Sequence, residues 1–169
     1  MKMSSLHDLY VEQLKDLYSA ESQFLKCLPA LAERTSSDPL KGALEDLHSL
    51  GRVHVDRLEQ IFMRLEEAPT GNRCKGMEGL IAEGRDLLGE DADPAVLDAG
   101  VIGSVQRTLH YEIASYGCVR TYAELLGDAA AVDALGSTLD EEVRADRALT
   151  QLAERVINVT AVQDPAGGP

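Results

Sequence analysis

The sequence predicts an all-α fold: a four-helix bundle in which one long crossover, carrying a short extra helix, joins two antiparallel hairpins. Three observations lead there. Apolar residues recur at three- and four-residue spacing through most of the chain, and no stretch alternates as a strand does. Apolar residues make up 44% of the sequence, but with no Trp and only two Phe the core must be mainly Leu, Val and Ala, as helical cores usually are. Finally, two of the breaks between the periodic segments are short and one is long. A chain of 169 residues suits one domain. It is expected over residues 1–160, followed by a disordered tail at 161–169 that contains Pro165, Gly167, Gly168 and Pro169.

The first helix is expected from Ser5 to Glu33, with Leu14, Leu17, Phe24, Leu25, Leu28 and Leu31 on one face and Pro29 as a kink inside it. Thr35-Ser36-Ser37-Asp38-Pro39 breaks the chain, Asp38 serving as N-cap and Pro39 as first helical residue. The second helix runs from Pro39 to Glu67, with Leu44, Leu47, Leu58, Ile61 and Leu65 inward. Glycines punctuate Ala68 to Asp93, which leaves room only for a short helix from Met77 to Leu88. This segment is long enough to climb back along a helix of about 40 Å at a rise of about 1.5 Å per residue. The third helix spans Pro94 to Leu126, with Val101, Val105, Leu109, Val119 and Ala123 inward, and Gly127-Asp128 turns the chain. The fourth covers Ala129 to Val156, with Leu135, Leu139, Leu149, Leu152 and Val156. Two hairpins joined by one long crossover make the ferritin-like arrangement of a bundle.

Charge narrows the function classes. Sixteen Lys and Arg against 29 Asp and Glu give a net charge of −13, which argues against nucleic acid and against an anionic membrane surface as partners. The start carries no apolar leader and no run is long enough to span a bilayer, so a cytoplasmic protein is expected. Cys27, Cys74 and Cys118 form neither a disulfide framework nor a zinc pattern and read as small buried residues.

The chemistry-bearing residues are those that interrupt the inward stripes. Glu21 lies between Leu17 and Phe24, His54 between Leu47 and Leu58, and Glu112 between Leu109 and Val119; Glu142 and Asp146 lie between Leu139 and Leu149. Their levels agree as well. The first hairpin turns near residue 36, so Glu21 faces residue 51, and the second turns near 128, so Glu112 faces residue 144. His54 then lies within roughly 5 Å of the level of Glu21. Burying several ionised carboxylates together costs several kcal/mol each unless something positive is present, and no Lys or Arg interrupts the same faces. Bound divalent metal is the natural counter-charge, and carboxylates with imidazole suit iron or manganese. The alternative is that these side chains lie at helix flanks and reach water.

Four segments resemble the YciE/YciF (DUF892) ferritin-like family: Leu14-Lys15-Asp16-Leu17-Tyr18-Ser19-Ala20-Glu21, Val55-Asp56-Arg57-Leu58-Glu59-Gln60, Cys74-Lys75-Gly76-Met77-Glu78-Gly79-Leu80-Ile81 and His110-Tyr111-Glu112-Ile113-Ala114-Ser115-Tyr116-Gly117. The resemblance covers nearly the whole chain. It implies a ferritin-like bundle, a homodimer and a link to bacterial stress responses. It also implies an acidic residue one turn before position 54, where this chain has Leu50 and then Gly51. The site is therefore expected to be one carboxylate short: a weakened di-metal centre, a single-metal site, or an empty site with protonated carboxylates.

Two readings of function follow. One is a ferritin-like metalloprotein holding iron or manganese at Glu21, His54, Glu112, Glu142 and Asp146, with oxygen or peroxide as the small-molecule oxidant it reduces. The other is a non-catalytic stress protein whose metal site is degenerate and empty, acting through its dimer or a partner. Tyr18 and Tyr116 are either hydrogen-bond partners of metal ligands or core-edge tyrosines. His110 is expected at a flank or a dimer contact, and His7 and His48 at the surface.

Overall fold

The computed structural model describes residues 3–163 of the chain. Helix α1 (Leu6–Arg34) starts at Ser5, whose hydroxyl accepts from the Asp8 amide while the Asp8 carboxylate returns to the Ser5 amide, a reciprocal capping box. The helix runs through Pro29. Helix α2 (Asp38–Leu65) is capped by Ser37, one residue earlier than expected, with Pro39 in its first turn where a missing N–H costs nothing. Helices α3 (Lys75–Gly89) and α4 (Pro94–Leu126) follow, the latter capped by Asp93. Gly127 ends α4 at φ 77°, a left-handed conformation that only glycine takes without a Cβ clash. Asp128 then caps α5 (Ala129–Leu152).

The last helix departs from its expected pattern. A π-helical turn, Ala153–Ile157, follows α5 and leads into α6 (Asn158–Gln163). The wider turn shifts the helical phase, so Ala153 and Ile157 face inward while Val156, expected inside, is 41% exposed. Helix α6 also takes in residues 161–163, which were expected in the disordered tail; the rest of that tail, 164–169, lies outside the described residues.

The four long helices form a ring: α1 packs on α2 and α4, and α5 packs on α4 and α2. Direction follows from which ends share a core. One apolar cluster joins Tyr10, Leu14 and Leu17 of early α1 to Leu58, Ile61 and Phe62 of late α2, Tyr116, Val119 and Ala123 of late α4, and Ala131 and Leu135 of early α5. The other joins the opposite ends, including Phe24, Leu28, Leu44, Val101, Leu109 and Leu149. Helices α2 and α4 therefore run the same way, which a short turn cannot connect, and the crossover between them carries α3.

Helix α3 lies on α1 and α4. Its close approach depends on small residues: a Cβ at Gly76 would sit 2.8 Å from the Tyr111 ring, and one at Gly84 2.6 Å from Ser104 Oγ. Buried Cys74 joins the same knot, its Sγ 3.1 Å from Asp16 Oδ2 and 3.0 Å from the Tyr111 hydroxyl. Of the three cysteines expected to be buried, only Cys74 is; Cys27 is half-buried and Cys118 exposed. At the far end, buried Asp98 of α4 accepts from the Ser36 amide, the Ser36 hydroxyl and the Ser37 amide, pinning the α1–α2 turn. Among the described residues no helix is long and apolar enough to cross a membrane.

Candidate metal centre

The two apolar clusters are separated by a polar layer. Each long helix interrupts its inward stripe once at this level, with Glu21 on α1, His54 on α2, Glu112 on α4 and Glu142 on α5, and none is more than 2% exposed. His54 Nδ1 lies 3.2 Å from Glu21 Oε1 and 3.1 Å from Glu142 Oε1. The three residues offer one donor atom each, all within 4.8 Å of one another. Tyr116 of α4 donates its hydroxyl to Glu21 Oε1 at 2.6 Å, and its ring stands edge-on to the imidazole.

This layer is polar beyond its own hydrogen-bonding capacity. Both oxygens of Glu112, Oε2 of Glu142 and Nδ1 of His54 are buried without a hydrogen-bond partner among the described residues. His54 Nδ1 is thus close to two carboxylates without a hydrogen bond of good geometry to either. Unpaired buried polar atoms are rare and ask for an explanation.

Protonation shows the same crowding. Burial pushes the Glu112 carboxyl well above the usual carboxylate range, and the neighbouring Glu21 and Glu142 charges push it further. Burial likewise raises Glu142, against the opposing pull of His54. For His54, burial alone would lower the pKa, but Glu142 and Glu21 together overrule it and hold the imidazole up at about 10. Without another cation, both shifts favour the protonated forms of His54 and Glu112, which eases the crowding of negative charge.

Of the five residues expected to converge, Glu21, His54 and Glu142 form the cluster, buried Glu112 lies near enough to feel the charges of Glu21 and Glu142, and Asp146 lies elsewhere. Its carboxylate accepts from Gln106 Nε2 at 2.9 Å and lies 3.3 Å from the exposed His110 Nε2, at the α4 flank. A residue four positions after Glu142 is rotated by about 40° from it, and on α5 that rotation turns Asp146 toward α4. The expected vacancy also moves. Leu50 is half-buried and lines a groove between α2 and α5. The residue facing the centre is Gly51, where a Cβ would lie 3.9 Å from Glu21 Oε2 and 3.3 Å from Leu25 Cδ1. Gly51-Arg52-Val53-His54 thus has the i, i+3 spacing of Glu-x-x-His with a glycine in place of the carboxylate.

Two residues outside the inward stripes also matter. His54 Nε2 lies 3.0 Å from Glu141 Oε2, and Arg57 grips that carboxylate with both terminal nitrogens. The expected absence of a cation holds for the inward faces alone, because Arg57 reaches the edge of the layer from the next turn of α2. The sequence signal was the charge pattern, Arg57 one turn after His54 and Glu141 beside Glu142. Tyr18 bonds Glu59 at 2.9 Å on the outside of the bundle, so of the two tyrosines only Tyr116 touches a site residue.

Glu21, His54 and Glu142 converge with one donor atom each, and buried Glu112 adds two unpaired oxygens; carboxylates with an imidazole are a donor set that suits a divalent cation. The molecule is thus an all-α bundle with a buried carboxylate–histidine centre. Residues 5–162 match the model of a domain of unknown function, DUF892, and the chain belongs to that family. It is 36% identical to Protein YciF of Escherichia coli (strain K12) over 166 residues, 95% of this chain and 98% of that protein. The crystal structure of the E. coli stress protein YciF matches with a TM-score of 0.88 at 35% identity, covering 92% of this chain and 99% of that one. YcfI from Rhodopseudomonas palustris matches with a TM-score of 0.85 at 36% identity, covering 88% and 95%.

Proposed function

We propose that this chain is a ferritin-like, stress-associated protein that holds one divalent iron or manganese ion per bundle at Glu21, His54, Glu142 and Glu112. The observation that carries the reading is the set of orphaned buried atoms on Glu112, Glu142 and His54. One ion, rather than two, suits the donor count: Gly51 leaves α2 without a carboxylate in the layer, and Asp146 is engaged elsewhere.

When bound, the ion supplies one-electron chemistry toward a small oxidant such as oxygen or peroxide. The chain's own residues do the rest. Glu21 and Glu142 present oxygens beside His54 Nδ1, Tyr116 orients the Glu21 carboxylate through its hydroxyl, and the apolar clusters above and below exclude water. Glu112 and His54 release their protons as the cation takes over charge balance. A cytoplasmic homodimer accords with this reading, with the half-exposed Leu50 and Val53 of the α2/α5 groove as its apolar face.

Elemental analysis of protein purified without chelator, with Mn(II) titrated into the metal-free chain, tests it. The expected result is one ion per chain, lost in Glu112→Ala. Failure of the metal-free chain to take up Mn(II) or Fe(II) would leave the second reading, favoured by the burial that raises Glu112: a stress protein acting through its dimer or a partner, its centre a relic.

A further inference from the structure

On the side of His54 away from Glu21 and Glu142, a second polar assembly closes the layer. Glu141 Oε2 lies 3.0 Å from His54 Nε2, and Arg57 Nη2 reaches Glu141 Oε1 at 3.1 Å while Nη1 bonds both Glu141 Oε2 and Thr138 Oγ1. His54 and Arg57 lie one turn apart on α2; Thr138 and Glu141 lie one turn apart on α5. The two helices are thus stitched together at the level of the imidazole. A histidine ring that flips about its Cβ–Cγ bond would put a carbon where Nδ1 was, and so offer a C–H to the carboxylates. An acceptor fixed on Nε2 prevents that, because the flipped ring leaves the acceptor facing a carbon as well. Arg57 holds both oxygens of the Glu141 carboxylate, so Oε2 stays directed at the ring.

We propose that Glu141, clamped by Arg57 and Thr138, is a positioning residue that fixes His54 with Nε2–H outward and Nδ1 aimed into the space between Glu21 and Glu142. The inference rests on the metal reading above and adds to it a device that sets which imidazole nitrogen serves as donor. Glu141 contributes no ligand atom of its own; it acts through the ring.

The test uses metal-free full-length chain. Mn(II) affinity falls about 10–100-fold in Glu141→Ala, the usual loss when an outer partner of a histidine ligand is removed. Glu141→Gln, whose amide oxygen still accepts from Nε2–H, recovers most of it, and Arg57→Met, which leaves the Glu141 side chain in place if Glu141→Ala folds poorly, falls between. Ring 15N spectra of Zn(II)-loaded protein show one state in wild type, with Nε2 protonated and Nδ1 on the metal, and mixed ligation in Glu141→Ala. Unchanged affinity with a single ring state in Glu141→Ala and Arg57→Met overturns the proposal. Should wild type bind no metal, the metal reading falls and the positioning is read separately: the His54 Nε2 proton exchanges more slowly in wild type than in Glu141→Ala or Arg57→Met, and equal exchange overturns it.

Discussion

Tyr116 and Glu21, from neighbouring helices of the bundle, meet in a 2.6 Å hydrogen bond at its driest level, the hydroxyl donating to a carboxylate oxygen that His54 also approaches. A phenol in that position lets α4 stabilise a carboxylate on α1 without bringing another charge. Tyr116→Phe removes the donor and leaves the oxygen buried, a loss of about 1–3 kcal/mol. Urea unfolding of metal-free protein should show a lower midpoint with an unchanged slope; an unchanged midpoint would show that the bond contributes nothing.

Stability of the metal-free chain should fall as pH rises. His54 is held up at about 10 in the fold against 6.5 in the unfolded chain, so the native state binds the extra proton between those values. Its contribution is complete below pH 6.5 and is lost as pH climbs through about 10. Glu112, raised well above 4.5, acts in the same sense. Thermal unfolding scans in the presence of chelator, from pH 6.5 to 10, should give a steadily falling Tm in wild type and a flatter profile in His54→Gln. A profile that rises over this range would contradict the protonation scheme.

Gly51→Glu should tighten metal binding. The new side chain starts 3.9 Å from Glu21 Oε2, with only the movable tip of Leu25 in its way at 3.3 Å. It restores the carboxylate one turn before His54 and brings the donor set nearer to one that can hold two ions. Calorimetric titration with Mn(II) should show higher affinity or a second equivalent. Leu50→Glu, placed in the groove instead, serves as the control and should change neither.

Helix α3 should loosen in Gly76→Ala. The added methyl would lie 2.8 Å from Tyr111 Cε2 and 3.0 Å from its Cζ, and Tyr111 is itself held by Asp16 at 3.0 Å. Overpacking of this kind costs about 1–3 kcal/mol. Hydrogen exchange should quicken across 75–89 while protection of the four long helices is retained; uniform exchange throughout would mean that the approach is slack.

Much of this architecture was legible in the sequence because helical period and loop length are local quantities. The long connection after Leu65 required α2 and α4 to run the same way, and counting from the two turns placed Glu21 opposite residue 51, where the structure puts it. What periodicity does not carry is rotation within a turn. Leu50 and Gly51 both lie one turn before His54, and which of them faces the centre depends on how α2 is rolled against α1. A glycine also has no side chain to mark its position. Asp146 was misplaced for the same reason, since a four-residue step from Glu142 keeps the stripe but not the aim. Glu141 escaped notice because it lies off the stripe, and its importance comes from the reach of Arg57 across two helices.

The polar layer divides the interior into two apolar halves, and each half is assembled from all four long helices. A continuous Leu and Val core of the same volume would hold the bundle together more firmly, because a desolvated ion layer is often weaker than its apolar replacement. A cation bound there, as proposed above, would stabilise the folded chain and not the unfolded one, by about 2.7 kcal/mol at a free concentration a hundredfold above its Kd. The folded fraction of the molecule would then be a gauge of the free ion around it, higher where the ion is plentiful and lower where it is scarce.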